Sequence, residues 1–246
     1  MHLLITGGGR GIGAATAAQA AAAGWAVSTT YRADQSAAEA CSDAIRARDG
    51  KALTIRADAA SADDTRAAFD AAAAAFGPIS AVVVNAGIVA PISPLADMTE
   101  DRIRQVVDVN VTGALLTARE AARRLSTGRG GLGGAIVIVS SAAARLGSPG
   151  EFVDYAASKG AMDTLTIGLA KELAPEGVRV NAVRPGLIDT EIHSTAGAPD
   201  RADRLGATTP MGRAGSADEV AEVILWLLSP ASGYVTGALV DVAGGR

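Results

Sequence analysis

Tyr155 and Lys159 stand four residues apart in Tyr155-Ala156-Ala157-Ser158-Lys159. On a helix that spacing puts a phenol and an ammonium on one face, one turn apart. A cation beside a phenol favours the phenolate, so a proton can move at that oxygen. Far upstream runs Thr6-Gly7-Gly8-Gly9-Arg10-Gly11-Ile12-Gly13. Between a strand and a helix, such a run offers backbone N–H groups and a helix N-terminus to a pyrophosphate. A phosphate cradle alone implies only a bound nucleotide. Combined with the phenol–cation pair, it implies hydride transfer coupled to proton transfer, which interconverts an alcohol and a carbonyl.

The elements that must position these groups alternate along the chain. Short apolar runs predict strands at Leu3–Ile5, Ala26–Thr30, Ala52–Arg56, Ala81–Asn85, Ala135–Ser140, Arg179–Arg184 and Leu239–Asp241. They are apolar on both faces, as in a parallel sheet covered on both sides. Helices are predicted at Ile12–Ala23, Gln35–Arg48, Ala62–Phe76, Glu100–Leu125, Asp154–Ala174 and Ala217–Leu228. Gly24 and Gly77 sit where helices should stop, and Ser216-Ala217-Asp218-Glu219 reads as a capping box. The expected fold is α/β: one doubly wound domain over 1–246, a seven-stranded parallel sheet with helices on both faces. Ser126–Gly134, with five glycines, reads as a flexible surface connection. An irregular lid near 189–215 follows the sixth strand, where ligands bind in such sheets.

Composition bounds the function. The 246 residues are 49% hydrophobic and only 3% aromatic, with a formal charge of −4. That balance argues against a nucleic-acid surface. No apolar run approaches the length of a membrane span. The single cysteine, Cys41, cannot form an internal disulfide, and the first strand starts almost at Met1. A cytoplasmic protein is therefore expected. Neither His2 nor His193 has partners at metal-ligand spacing, so no metal site is expected.

Other residues are readable from the fold. Asn110, set among Val107, Val109 and Val111, is poor mid-helix chemistry unless its amide has a partner. Asn85-Ala86-Gly87 ends the fourth strand beside the first, at the topological switch point, and should line the adenine–ribose side. The end of the second strand reports on cofactor choice. An NAD site wants Asp or Glu there for the ribose 2′-OH, whereas this chain has Thr30-Tyr31-Arg32. Arg32 and Arg10 together can grip a 2′-phosphate, so NADP(H) is expected over NAD(H).

Thr6-Gly-x-x-x-Gly-x-Gly, Asn85-Ala86-Gly87, Ser141, Tyr155-x-x-x-Lys159 and Pro185-Gly186, in this order over essentially the whole chain, resemble the short-chain dehydrogenase/reductase family. Within it the pattern is similar to 3-oxoacyl carrier reductases and glucose dehydrogenases. The resemblance implies a Rossmann fold and a secondary alcohol or carbonyl as substrate. It makes Tyr155 the acid/base, Lys159 its cationic partner, and Ser141 the hydrogen-bond donor to the substrate oxygen. Ser140 has the same chemistry, but the family pattern points to the second serine. An ordinary Tyr has a pKa of ~10, so poising it near 7 takes roughly 4 kcal/mol of phenolate stabilisation. Lys159 and the positive nicotinamide ring would supply it. The resemblance also makes Asn110 the residue that bends its helix and holds a water leading to Lys159. It puts Asp58 at the adenine amino group, the Ile188 backbone at the nicotinamide carboxamide, and Thr190 beside a phosphate or amide. The cofactor set is then Gly7, Arg10, Gly11, Ile12, Gly13, Tyr31, Arg32, Asp58, Asn85, Ala86, Gly87, Tyr155, Lys159, Pro185, Gly186, Ile188 and Thr190.

Family members commonly pair through their two long helices. Outer-face Ala, Leu and Met on Glu100–Leu125 and Asp154–Ala174 fit a homotetramer. Two rival readings share the glycine turn. A methyltransferase needs no Tyr-x-x-x-Lys and usually wants an acidic residue after the second strand. A non-catalytic NADP-sensing or scaffold protein typically loses Ser, Tyr or Lys, and all three are present here.

Overall fold

Seven parallel strands form the centre of the molecule in the order β3-β2-β1-β4-β5-β6-β9. The computed structural model describes residues 1–191, 197 and 201–246, without the side chain of residue 203. The strands are β1 His2–Ile5, β2 Ala26–Tyr31, β3 Ala52–Arg56, β4 Ala81–Val84, β5 Gly134–Val139, β6 Val178–Pro185 and β9 Leu239–Val242. Two short strands, β7 Ile188–Asp189 and β8 Gly215–Ser216, pair apart from the main sheet. The helices are α1 Gly11–Ala22, α2 Gln35–Arg46, α3 Ala62–Phe76, α4 Glu100–Val107, α5 Gly113–Leu125, α6 Ala143–Leu146, α7 Val153–Leu173, α8 Arg201–Gly206 and α9 Ala217–Leu228.

Strand alternation divides the core into two layers. Leu3, Ile5, Val83, Val137 and Val139 face one side and pack with Ala17, Ala20, Val220, Ile224 and Leu227 of α1 and α9. Leu4, Val82, Val84, Ile136 and Ile138 face the other and pack with Phe69, Ala121, Leu125, Met162 and Leu173 of α3, α5 and α7. Small helix residues allow close approach, so aliphatic strand residues fill most of the core despite the scarcity of aromatics. Met162, expected on an outer helix face, is buried in this second layer.

The connection order runs outward from β1 through β2 to β3, then returns to β4 on the other side of β1. The switch point therefore lies between β1 and β4, and the glycine turn leaves β1 there. The expected capping box exists: Ser216 Oγ accepts from Glu219 N at 3.2 Å, and Glu219 Oε2 accepts from Ser216 N at 2.8 Å.

Two expectations need correction. The helix read as Glu100–Leu125 is interrupted. Residues Asp108–Thr112 form a π turn, with Gly113 N bonding Asp108 O, five residues back. The cause is Asn110, 1% exposed, whose amide bonds groups outside its own helix. Ser126–Gly134 is not a loose connection either. Gly131 N donates to Ser126 O at 2.8 Å, Gly133 N to Leu125 O at 2.8 Å and Gly134 N to Gly177 O at 3.1 Å. Part of the expected lid, 192–196 and 198–200 including His193, lies outside the described residues.

Candidate active site

The glycine turn is built to stay open. Gly7 and Gly11 take φ +68° and +52°, in the left-handed region that penalises a Cβ. A Cβ on Gly13 would lie 2.5 Å from the Gly7 carbonyl oxygen and 2.8 Å from Asn85 Nδ2. Asn85 locks the turn: its Nδ2 donates to the carbonyls of Thr6 and Gly7, each at 2.9 Å. Thr6 Oγ1 in return accepts from Asn85 N and Ala86 N, both at 3.1 Å. The α1 N-terminus opens from this turn with no side-chain cap from Arg10 and no acidic residue in its first turn. Free N–H donors and the positive end of a helix dipole fit a dinucleotide pyrophosphate.

Neighbouring residues follow from strand register. Tyr31 pairs with Arg56, which brings the ends of β2 and β3 side by side. Arg32 and Asp58 then form a 3.8 Å ion pair, both side chains well exposed. Asp34 accepts from Ala37 N at 3.1 Å as the cap of α2. On the opposite wall, a Cβ on Gly11 would meet the Thr190 methyl at 3.4 Å. Gly186 packs so tightly on Ala243 that a Cβ would lie 2.7 Å from its Cα. Ile188 is buried beside it in β7.

The reacting groups gather at the carboxyl ends of β4 and β5. Lys159 is 5% exposed and its Nζ donates to Val139 O at 2.7 Å. That ammonium lies 5.5 Å from the Tyr155 ring centroid. Burial lowers the Lys159 pKa to about 8, with Asp163 acting in the opposite sense. Burial also pushes the half-buried Tyr155 phenol above its ordinary value, and a hydrogen bond with Ser141 works against this shift. The protein's own groups thus leave the phenol protonated at neutral pH, not poised near 7.

The two serines at the end of β5 separate cleanly. Ser140 is buried and its hydroxyl donates to Asp163 Oδ1 at 2.7 Å, with Lys159 O at 3.1 Å as a second acceptor within reach of the same proton. Ser141 turns to Tyr155, and its Oγ accepts from Ala143 N at 3.1 Å. Asn110 completes the cluster. Its Oδ1 accepts from Ile88 N at 2.8 Å, and its Nδ2 donates to Ile88 O at 2.9 Å and Ser158 Oγ at 3.1 Å. A methyl on Gly87 would come 3.3 Å from Asn110 Oδ1 and 3.6 Å from Lys159 Nζ. The Asn85–Gly87 run, expected at the adenine–ribose side, therefore ends against the Lys159 ammonium.

A family model described as Enoyl-(Acyl carrier protein) reductase matches residues 7–246. The uncharacterized oxidoreductase YgfF of Escherichia coli (strain K12) is 49% identical over 99% of this chain and 98% of its own length. A short-chain type dehydrogenase/reductase from Mycobacterium marinum superimposes with a TM-score of 0.92 at 37% identity, covering 99% of this chain and 94% of that one. A short-chain dehydrogenase from Burkholderia cenocepacia J2315, solved in complex with NADP, gives 0.89 at 36% identity over 99% and 96%. The chain belongs to the short-chain dehydrogenase/reductase family. It is an oxidoreductase with a Rossmann-like fold.

Sequence reasoning missed several residues that hold the reaction centre of this short-chain dehydrogenase/reductase. Arg102 binds Asp154 through Nε at 2.9 Å and Nη2 at 3.3 Å, and donates to Pro91 O at 2.5 Å. Asp154 Oδ1 also accepts from Tyr155 N at 2.9 Å, so the start of α7 is fastened to α4 and to the loop after β4. Its signal was an Asp at a helix N-terminus. Arg201 of α8 grips Glu151 with two bonds, 2.8 and 2.6 Å, and lies 5.2 Å above the Phe152 ring. That contact ties α8 to the segment leading into Tyr155. No sequence spacing pointed to it.

Proposed function

We propose that this protein interconverts a secondary alcohol and a carbonyl with NADP(H) in preference to NAD(H), using Tyr155 as the acid/base. The observation that carries the reading is the convergence of Ser141, Tyr155 and Lys159 beside a glycine turn suited to a pyrophosphate. A nicotinamide dinucleotide held in that turn supplies or accepts the hydride. Tyr155 gives its proton to the substrate oxygen in reduction and takes it back in oxidation. Ser141 orients that oxygen by a hydrogen bond. The Lys159 cation stabilises the phenolate left behind, while Asn110 fixes the α4–α5 bend against Ile88 and the Lys159 helix.

The NADP preference is supported by Arg32 and Arg10 and by the lack of a carboxylate at Tyr31. Asp34, the next acidic residue along the chain, is occupied as a helix cap. Asp58, Ile188 and Thr190 line the remainder of the proposed cofactor path. Exposed Ile103, Val107 and Leu115 on α4–α5 and Ile167 on α7 support a homotetramer paired through these helices. Among the described residues, no helix is long and apolar enough to cross a membrane.

The test is a panel of sugars, small ketones, β-keto thioesters and their alcohols, followed by NADPH absorbance. Turnover of at least one class under NADPH supports the reading. Tight NADPH binding with no turnover anywhere in the panel favours a sensing role instead.

A further inference from the structure

Asp163 is one turn beyond Lys159 on α7 and is buried, 9% exposed. Its Oδ1 accepts from Ser140 Oγ at 2.7 Å, and its Oδ2 accepts from Arg184 Nε and Nη2 at 3.1 and 2.8 Å. The same Ser140 hydroxyl reaches the Lys159 carbonyl at 3.1 Å. Each partner is adjacent to a proposed site residue: Ser140 to Ser141, and Arg184 to Pro185. One carboxylate therefore joins the end of β5, the helix carrying Tyr155 and Lys159, and the end of β6 that leads into the cofactor loop.

We propose that Asp163 is a positioning residue for the reaction: it fixes the register of these three elements and supplies the negative charge that keeps the buried Lys159 protonated. This rests on the reading of Tyr155 and Lys159 given above. The groups around the ammonium support the assignment. Val139 O offers a hydrogen bond but no net charge. Asn110 and Gly87, from the π turn and the loop after β4, are neutral. Tyr155 is protonated at neutral pH. Asp163 is the group whose charge opposes the desolvation of Lys159, and Arg184 from β6 pairs with that same carboxylate at 2.8 Å. A cation with a free choice would prefer solvent. Holding it buried needs a fixed counter-charge close by.

The chain has only three lysines, Lys51, Lys159 and Lys171. Lysine labelled with 13C at Cε therefore gives three resolvable signals, and Lys159→Met assigns the buried one. Its titration midpoint reads the proposal without substrate or cofactor. Asp163→Asn should move that midpoint down by about half a unit or more. Arg184→Met removes a competing cation and should move it up. Opposite signs from two neighbours are not produced by general loosening of the fold. Asp163→Glu should restore most of the midpoint. If Asp163→Asn does not fold, the upward shift in Arg184→Met carries the test. A Lys159 midpoint unmoved by Arg184→Met, or by every folded variant, overturns the proposal. Full turnover in Tyr155→Phe would instead overturn the acid/base reading and leave this titration untouched.

Discussion

Replacing Arg32 by Ala should weaken NADPH binding by roughly ten- to a hundred-fold and leave NADH almost unchanged. The magnitude follows from what Arg32 touches. Among the described residues it pairs with Asp58 at 3.8 Å, and the two side chains are 56% and 39% exposed. An exposed pair at that distance contributes ~0–1 kcal/mol, so turning the guanidinium toward a 2′-phosphate costs little. A well-formed charged hydrogen bond contributes about 1.5–3 kcal/mol. Solvent at a half-exposed site reduces that, leaving about 1.4–2.8 kcal/mol for one or two bonds. NADH lacks the phosphate and has nothing to lose. Titration calorimetry with each dinucleotide, without substrate, measures both constants directly. Tyr31→Asp is the complementary change: a carboxylate there bonds the 2′-OH and repels the 2′-phosphate, reversing the preference. An unchanged ratio of the two dissociation constants in Arg32→Ala would show that Arg32 is a solvated loop residue and would remove it from the basis of the NADP assignment.

Carbonyl reduction should be level below about pH 8 and fall above it, because the Lys159 cation is lost as pH rises through its lowered pKa of about 8. The phenol, pushed up by burial, stays protonated over the same range. A reduction rate that climbs between pH 8 and 9 in a buffer-controlled profile would contradict this. Gly13→Ala forces a methyl to within 2.5 Å of the Gly7 carbonyl oxygen and 2.8 Å of Asn85 Nδ2. Urea unfolding should show a loss of about 1–3 kcal/mol, and dinucleotide affinity should drop with it. A variant of wild-type stability and affinity would mean that the turn does not need this approach.

The sheet was legible because its strands are short aliphatic runs between glycines and polar turns; the predicted bounds of β3 match, and the others shift by one residue at one or both ends. Asn110 was legible for a different reason. An amide among valines conflicts with a plain amphipathic helix, and the conflict marked a place where tertiary bonds override helical propensity. The family resemblance implied a bend at Asn110, but its form as a π turn was not legible, since the helical pattern runs on through Asp108–Thr112 at the same period. Local chemistry could not separate Ser140 from Ser141. They are adjacent at a strand end and point opposite ways, one to Asp163 and one to Tyr155, which only the packing of α7 reveals. Asp163 gave no sequence signal, because its spacing from Lys159 reads as an ordinary surface ion pair on a helix. The Arg32–Asp58 contact depends on the parallel register of β2 and β3 and joins residues far apart in the chain.

Proton transfer by Tyr155 is probed by Tyr155→Phe in single turnover. The substrate would be any carbonyl that the wild-type protein reduces, with NADPH binding measured on the same preparation. Phenylalanine keeps the ring beside Lys159 and removes only the hydroxyl. NADPH affinity should be unchanged and the rate lowered by ~10²–10⁴-fold, the usual contribution of a positioned acid. A rate within a few-fold of wild type, with the cofactor still bound, would contradict it.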